Sequence, residues 1–321
     1  MKFKELYHQI FAAANEVTVE NAITFRSNKV DSIFNAQYGD DAKNNTFDLH
    51  FPKGCNHKLP TVVFVHGGGY VAGQKQDLNR YVRVIAEAGY CVVNMEYTKV
   101  DGVELKYFPT PVFEVFDLFK VLEKDPKFAN HIDFNNIFLA GDSAGAHIVS
   151  LVANIQTNPM LKQDFNLFGG PKVKGLILTC PVFGEYGFMG KEFKELLYGK
   201  KNPLEKLCNN HHLFTDKFPP SILTSTPNDF VAMPQVKSFI KMAKKNNLSV
   251  RHCEVQSGYK LFHDSMMRYA DKYPILLNEV CNFIEDTIND KLVDGVHKKV
   301  IKEKRSGKNV DKQNDNELSF E

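Results

Sequence analysis

The stretch GDSAG, residues 141–145, directly follows the apolar run IFLA and directly precedes the small and apolar run AHIV. This context predicts a serine, with Asp142 beside it, at the junction between a buried strand and a helix. At such a sharp turn, Gly141 and Gly145 leave the room that the strand and the helix need to approach each other. Ser143 would project its hydroxyl above the sheet, and the helix N-terminus would offer N–H groups to a developing oxyanion.

Short runs rich in branched apolar residues recur along the chain, as expected for strands that are covered on both faces. Helix-period segments lie between most of these runs, so the sequence predicts an α/β fold with a doubly wound, mostly parallel sheet. The run at 46–51 alternates apolar and polar residues instead, which predicts a half-exposed strand. The other predicted strands are 61–65, 91–95, 137–140, 175–180, 222–226 and 249–255, and the predicted helices are 78–85, 112–119, 144–155, 236–243 and 275–288.

Three parts of the chain depart from this alternation. Residues 1–30 begin with an amphipathic helical pattern, and residues 182–217 contain helix-like sequence without a strand-like run. We expect residues 182–217 to be a helical insertion in an α/β domain spanning residues 31–296, either as a lid over the site or as packing that serves only the fold. Residues 297–321 are charged and contain little apolar sequence, so we expect an unstructured tail.

A serine hydroxyl is a weak nucleophile, so its use requires a histidine base and a carboxylate that holds the histidine tautomer. Three histidines in the last part of the chain are candidates for the base. His252 lies within an alternating strand, and His297 begins the polar tail. His263 lies in a loop after that strand, from which it can reach Ser143, and is the predicted base.

The acid is expected in a turn at the end of a strand, between the serine and the histidine in the chain. Asp229 follows the strand-like run ILTST within one short turn, whereas Asp164 and Asp216 lie in connections that precede their strands. Asp229 is therefore the predicted acid. The alternative is that Asp229, after a proline and an asparagine, serves only to form the turn.

The motif HGGGY, residues 66–70, also stands at the end of a predicted buried strand. Consecutive glycines allow backbone N–H groups to converge on one point, which suits an oxyanion. A second interpretation is the dinucleotide-binding pattern G-x-G-x-x-A, formed by Gly67, Gly69 and Ala72, with Glu96 as a ribose ligand. That pattern needs a helix that opens at its third small residue, whereas the helical periodicity begins several residues later, and it leaves GDSAG unexplained.

Taken in this order, HGGGY, GDSAG, the Asp229 turn and His263 resemble the hormone-sensitive-lipase-like branch of the α/β-hydrolases, which includes many small carboxylesterases. The similarity extends over roughly residues 38–289. The resemblance implies that Ser143 is the nucleophile, His263 the base and Asp229 the orienting acid.

The same resemblance implies an oxyanion hole and a cap. The hole would consist of the N–H groups of Gly68, Gly69 and Ala144, and the cap of residues 1–30 together with residues 182–217. The motif residues that would support this arrangement are His66, Gly67, Gly141, Asp142 and Gly145.

The composition is that of a globular protein and favours no charged partner. The 321 residues include 40 basic and 38 acidic side chains, a formal net charge of +2, so neither nucleic acid nor an anionic membrane is indicated. The sequence predicts no signal peptide, and no apolar run reaches the ~18 residues that a membrane helix needs. Six scattered cysteines without a C-x-x-C pair are expected to be buried free thiols in a reducing, cytoplasmic setting.

These observations predict a serine ester hydrolase that cleaves small acyl esters through an acyl-enzyme and requires neither a metal nor a cofactor. An amidase or peptidase would use the same triad. A non-catalytic binding protein of the same fold is a further alternative, but a receptor has no chemical need for a complete triad. The dinucleotide-binding oxidoreductase is the remaining alternative.

Overall fold

A computed structural model describes residues 25–101, 106–184, 190–209, 213–257, 263, 265–268 and 270–303. Within these residues, nine strands form one sheet: β1 (Val30–Gln37), β2 (Thr46–Pro52), β3 (Leu59–Val65), β4 (Cys91–Met95), β5 (Ile132–Asp142), β6 (Val173–Thr179), β7 (Ser221–Ser225), β8 (Val250–Ser257) and β9 (Val296–Glu303). Their order across the sheet is β1-β2-β4-β3-β5-β6-β7-β8-β9. The pairings β1–β2 and β2–β4 are antiparallel and the other pairings are parallel, so the predicted mostly parallel sheet is confirmed.

The helices of the described residues flank this sheet. Proline suits the first turn of a helix, and Thr110-Pro111 opens the helix that ends at Lys124. Gly89 takes a φ of +109°, a conformation that favours glycine, just beyond the helix that ends at Glu87. The helices are α1 (Asn79–Glu87), α2 (Thr110–Lys124), α3 (Pro126–Ala129), α4 (Ser143–Thr157), α5 (Pro159–Phe165), α6 (Gly190–Tyr198), α7 (Glu205–Cys208), α8 (Met233–Lys245), α9 (Ser265–Arg268) and α10 (Pro274–Ile288), and 3₁₀ turns span Lys75–Leu78 and Ala270–Lys272.

The central strands are covered on both faces, which explains why they read as continuous apolar runs. The strands β4 and β7 are buried along their whole length. On the sheet, α4 packs against β3, β5 and β6, while α10 packs against β6, β8 and β9. The carboxyl ends of β5, β6, β7 and β8 therefore lie side by side at one edge of the sheet, where open α/β sheets bind their ligands.

The prediction of a half-exposed strand at 46–51 is wrong, because β2 is buried from Thr46 to Phe51. Its polar side chains are covered by partners that the alternation does not reveal. The buried ammonium of Lys75 lies 2.9 Å from Asp48 Oδ1, and His50 Nδ1 lies 2.8 Å from the hydroxyl of Ser32 on β1. Paired charges and hydrogen bonds thus allow polar residues to occupy a buried face.

The connection between β6 and β7, where the sequence predicts a helical insertion, contains α6 and α7 within its described residues. Phe193, Leu197 and Tyr198 of α6 are buried. The predicted N-terminal helical segment falls mostly on residues 1–24, which lie outside the described residues. The described chain enters β1 at Val30.

The predicted start of an unstructured tail at 297 is wrong, because Val296–Glu303 forms β9, parallel to β8. Composition suggested that this segment lacked the apolar surface to order itself, but Ile301 is buried. Two lysines of the strand are paired with acids, since Lys298 Nζ lies 2.7 Å from Glu254 and Lys299 Nζ lies 2.6 Å from Glu279. The rest of the predicted tail, residues 304–321, lies outside the described residues.

The cysteines are free thiols, and four of them are buried, namely Cys91, Cys180, Cys208 and Cys253. For these four, the expectation of buried free thiols is confirmed. Among the described residues, no helix is both long enough and apolar enough to cross a membrane.

Candidate active site

Ser143 stands where β5 ends and α4 begins, as the GDSAG context predicts. Its φ of +49° lies in the left-handed region, which costs a residue other than glycine roughly 1–3 kcal/mol. The residue is only 7% exposed. A strained backbone at a strand-to-helix turn is the arrangement that lifts a nucleophilic serine out of a sheet.

Both glycines of this turn are required by close backbone contacts. A Cβ on Gly141 would lie 2.5 Å from the backbone carbon of Gly145, and a Cβ on Gly145 would lie 2.0 Å from the carbonyl oxygen of Val65. Real Cβ atoms do not approach backbone atoms so closely. The helix α4 therefore sits directly against the end of β3, where the HGGG loop begins.

The structure brings Ser143, His263 and Asp229 together in one chain of hydrogen bonds. His263 Nε2 lies 2.7 Å from Ser143 Oγ, and His263 Nδ1 lies 2.8 Å from Asp229 Oδ2. With the Nδ1 proton donated to the carboxylate, Nε2 of the neutral ring is left to accept the serine proton. The side chain of His263 is 26% exposed, whereas that of Asp229 is fully buried.

Asp229 is held as a carboxylate by its neighbours. Burial alone would raise its pKa, but the hydrogen bond and charge of His263, the N–H group of Ala232 and the thiol of Cys180 outweigh burial and lower the pKa. Oδ1 also accepts hydrogen bonds from the N–H groups of Val231 (3.0 Å) and Ala232 (2.8 Å). The same contacts form the turn after β7. Asp229 can therefore form this turn and also accept the hydrogen bond of His263.

The other histidines and aspartates considered from the sequence lie elsewhere. His252 is inside β8, with Nε2 2.8 Å from the hydroxyl of Ser225, and His297 is exposed on β9. Asp164 and Asp216 are exposed. None of these four side chains has a hydrogen bond to Ser143 or His263 among the contacts of the described residues.

The HGGG loop lies beside this serine turn. Gly68 and Gly69 take φ values of +107° and +58°, and Tyr70 follows at +69°, which gives the loop its sharp left-handed course. The N–H group of Gly67 donates to Asp142 Oδ1 at 2.8 Å, and a Cβ on Gly67 would collide with the same carboxylate. Asp142, the residue before Ser143, therefore anchors the loop next to the serine.

The predicted oxyanion hole involves the same two segments. Gly68 and Gly69 belong to the loop, and Ala144 is the second residue of α4, in the first turn, whose N–H groups point out of the helix end. The N–H dipoles of a helix N-terminus favour negative charge. The loop and the first turn of α4 both lie beside Ser143, and the assignment of their N–H groups to an oxyanion hole stays a prediction.

His66 and Glu96 hold the HGGG loop in place through buried hydrogen bonds. His66 Nδ1 donates to the Gly67 carbonyl at 2.7 Å, and its Nε2 lies 3.0 Å from Glu96 Oε1. Glu96 also pairs with Lys99 and accepts the backbone N–H of Lys75 at 2.9 Å. Burial raises the pKa of Glu96, but His66 and Lys99 outweigh it and lower the pKa to about 2.

These contacts oppose the dinucleotide interpretation. Glu96, its proposed ribose ligand, is committed to groups of the protein itself. In addition, α1 starts at Asn79, after a 3₁₀ turn, rather than at Ala72. The pyrophosphate site of that pattern requires the helix to open directly after the glycines.

A second buried connection, which the sequence did not predict, joins the HGGG loop, the helix α4 and the β6–β7 connection. The Tyr70 hydroxyl donates to His147 Nδ1 at 2.7 Å, and His147 Nε2 donates to the Cys208 carbonyl at 2.6 Å. Phe108 stacks on the His147 ring, with centroids 4.9 Å apart. His147 follows Ser143 by four residues, one helical turn, and that spacing was the available signal.

Cys180 is also part of this neighbourhood. It follows β6, which lies between β5, the strand that ends just before Ser143, and β7, the strand that precedes Asp229. Its thiol donates a hydrogen bond to Asp229. The signal in the sequence was positional, because a residue just after a central parallel strand lies at the same sheet edge as the residues after the neighbouring strands.

The strand order and the serine turn after β5 define the class of the protein as an α/β-hydrolase. Its first eight strands follow the order β1-β2-β4-β3-β5-β6-β7-β8, with the first pairings antiparallel. The chain belongs to the BD-FAE family, whose model matches residues 47–253, more than half of the chain.

Two curated relatives are similar to part of this chain. A putative alpha/beta hydrolase of Acanthamoeba polyphaga mimivirus is 33% identical over 141 residues, 44% of this chain and 37% of the relative. Tabersonine synthase of Catharanthus roseus is 30% identical over 154 residues, 42% of this chain and 46% of the relative. The alignments thus span less than half of each of these curated relatives.

Similarity of fold extends further than similarity of sequence. The structure of inhibited esterase B from Lactobacillus rhamnosis matches 89% of this chain and 97% of that chain, with a TM-score of 0.76 at 22% identity. This match shows that the two chains share one fold.

Proposed function

We propose that the protein is a serine ester hydrolase that cleaves small acyl esters. The observation that carries the proposal is the pair of hydrogen bonds from Ser143 through His263 to Asp229, at 2.7 and 2.8 Å. A serine hydroxyl within 3 Å of an imidazole nitrogen can lose its proton as it attacks a carbonyl.

The reaction would proceed in two halves. Ser143 Oγ attacks the acyl carbonyl while His263 Nε2 takes the hydroxyl proton, and the resulting imidazolium is stabilised by Asp229. His263 then gives the proton to the leaving alcohol, which leaves an acyl-enzyme. Water, activated by the same ring, releases the acid and restores Ser143.

The carbonyl oxygen becomes negatively charged in both halves of the reaction. The N–H groups of Gly68, Gly69 and Ala144 are the proposed donors to this oxyanion. Residues 1–30 and 182–217 are the proposed cap, and the buried side chains of α6 are the part of it that packs into the fold. None of these steps calls for a metal or a cofactor.

The curated relatives carry names from different reaction classes. One is a hydrolase and another is a synthase, so membership in this group does not by itself select ester hydrolysis. The serine–histidine contact favours acyl transfer over the alternatives, because neither simple binding nor dinucleotide chemistry needs an activated hydroxyl. Amide substrates would use the same groups.

The test is hydrolysis of nitrophenyl esters of graded acyl length by the wild type and by Ser143→Ala. We expect kcat/KM of the variant to fall at least about 10³-fold, because removal of a serine nucleophile eliminates covalent catalysis and leaves only the contribution of binding and oxyanion stabilisation. Acid and alcohol should form in equal amounts, and a phosphonate probe should label Ser143 in the wild type.

The matched control is Ser150→Ala, which removes another buried serine hydroxyl from the same helix. Its hydroxyl donates to the His147 carbonyl at 2.9 Å and has no place in the proposed chemistry. Ser150→Ala should keep its rate within a few-fold. Equal rates in Ser143→Ala and wild type would refute the proposed mechanism, and faster turnover of a matched nitroanilide than of the ester would favour the amidase.

A further inference from the structure

Cys180, Asp229 and His263 present three different metal-binding atoms to one point. The thiol sulfur, a carboxylate oxygen and an imidazole nitrogen all lie within 4.8 Å of one another. Cys180 and Asp229 are buried, while the partly exposed His263 opens one side of the group to solvent. In the part of the chain that the structure describes, no other group of three His, Cys, Asp or Glu residues meets this distance.

The distances between these three ligand atoms suit a cation with tetrahedral coordination. Zinc binds thiolate sulfur at about 2.3 Å and imidazole nitrogen or carboxylate oxygen at about 2.0–2.2 Å, which places its ligands roughly 3.4–3.6 Å apart. His263 Nδ1 and Asp229 Oδ2 are 2.8 Å apart, and one ligand atom from each of the three residues lies within 4.8 Å of the other two. Side-chain shifts of about 1 Å therefore complete three tetrahedral positions, and solvent supplies the fourth.

We propose that Cys180, Asp229 and His263 form an inhibitory binding site for a thiophilic divalent cation such as Zn²⁺. Thiolate, imidazole and carboxylate together select zinc or cadmium over magnesium or calcium, which prefer oxygen ligands. Binding releases the thiol proton of Cys180 to solvent, because the thiolate is the ligand.

The ion would stop the proposed hydrolysis through the tautomer of His263. An ion on Nδ1 occupies the lone pair that appears when the Nδ1 proton leaves, so the single proton of the neutral ring moves to Nε2. Nε2 then points an N–H group at Ser143 and no longer accepts the serine proton. The inhibition, unlike the binding, rests on the proposed function.

Binding is tested first, without turnover. Cd²⁺ is titrated into purified Ser143→Ala protein, and the ligand-to-metal charge-transfer absorption of the cadmium–thiolate bond is measured. We expect one saturable band, which Cys180→Ser and Cys180→Ala, each added to this background, abolish and which His263→Ala weakens at least about tenfold in affinity. Circular dichroism shows whether each variant is folded.

The matched control is Cys55→Ser. Cys55 is the competing thiol, because its sulfur lies 3.5 Å from His57 Nδ1 in a partly exposed pair. Cys55→Ser should keep the band. A band that disappears with Cys55→Ser and survives in Cys180→Ser, or the lack of any band, overturns the proposed site.

Inhibition is tested second, on the wild type with an ester substrate. Zn²⁺ should inhibit reversibly, with recovery on addition of a chelator, and Cys180→Ser should need at least about tenfold more Zn²⁺ for half-inhibition relative to its own uninhibited rate. Unchanged sensitivity in Cys180→Ser overturns the inhibitory role. Since the cadmium titration needs no turnover, failure of the metal site and failure of the proposed hydrolysis give different results.

Discussion

At Asp229, burial and hydrogen bonding act on the carboxyl pKa in opposite directions, and the net direction is downward. A carboxyl with a lowered folded-state pKa stabilises the fold above its unfolded-state pKa, and this contribution is lost as the pH falls through the lowered value. Over the range in which imidazoles titrate, Asp229 therefore remains a carboxylate that can orient His263 and balance its charge.

Asp229→Asn should lower kcat/KM at least about 10²-fold while the protein stays folded. An amide keeps the shape of the side chain, but it favours the wrong imidazole tautomer and carries no charge. In a serine protease with a Ser-His-Asp triad, the equivalent exchange lowers kcat about 10⁴-fold. Steady-state hydrolysis of a nitrophenyl ester measures the effect.

Asp216→Asn is the matched control, because Asp216 is an exposed aspartate that precedes β7 rather than following it. Its rate should stay within about tenfold of the wild type, the size of an indirect positioning effect. If Asp216→Asn lost at least about 10²-fold in kcat/KM while Asp229→Asn kept the wild-type rate, Asp229 would not be the acid that orients His263.

The three residues Ser143, Asp229 and His263 could be selected from sequence because each follows a recognisable strand in the required chain order. The partners Cys180, Tyr70 and His147 were not predicted, because the position of a residue after a strand or along a helix does not state which side chains it contacts. Their roles depend on which strands and helices become neighbours in space, and a single sequence does not state those contacts.

The geometry of the site depends on how closely the helix α4 approaches the end of the strand β3. Gly145 lies at this contact. A Cβ added to Gly145 would lie 2.0 Å from the carbonyl oxygen of Val65 and 2.7 Å from the carbonyl oxygen of His66. Because the neighbours are backbone atoms, no side-chain rotation can relieve a substitution there. The glycines of GDSAG were predicted to serve close packing, but the partner, the end of β3, was visible only in the structure.

Gly145→Ala should destabilise the protein by about 2 kcal/mol or more and lower kcat/KM at least about tenfold. The first effect follows from overpacking, and the second from displacement of the serine turn relative to the HGGG loop. Thermal unfolding and ester hydrolysis measure the two effects separately.

Gly54→Ala is the control, since a Cβ there meets no atom within 4 Å. Its φ of +72° makes alanine strained, so we expect a loss of about 1–2 kcal/mol in stability with unchanged activity. Equal activity losses in both variants would show that the contact with Val65 does not position the site.

For the whole molecule, the sequence predicted the central sheet well and its margins poorly. The strands β3 to β6 contain runs of apolar residues, so the pattern that predicts them is local. The strands β2 and β9 depend on contacts with residues distant in the chain, such as Lys75 beside Asp48 and the pairing of β9 along β8. Local composition therefore gave a half-exposed strand and an unstructured tail where the structure has two sheet strands.

The pairing of β9 along β8 predicts different outcomes for two C-terminal truncations. Removal of residues 304–321 leaves every described contact of β9 in place, so the melting temperature should change little. Removal of residues 295–321 exposes the edge of β8 and removes the buried side chain of Ile301. Burial of an isoleucine side chain contributes about 1.5–3 kcal/mol, and the two surface ion pairs add little.

The longer truncation should therefore lower the melting temperature by about 3 °C or more, the shift expected for a loss of roughly 2 kcal/mol in a chain of this size. It should also raise concentration-dependent association, because an unpaired strand edge invites pairing with another chain. Calorimetry and light scattering at several protein concentrations measure these two effects. If both truncated proteins melt and scatter like the full chain, β9 does not stabilise the sheet, and the original expectation of a tail that begins at 297 would be restored.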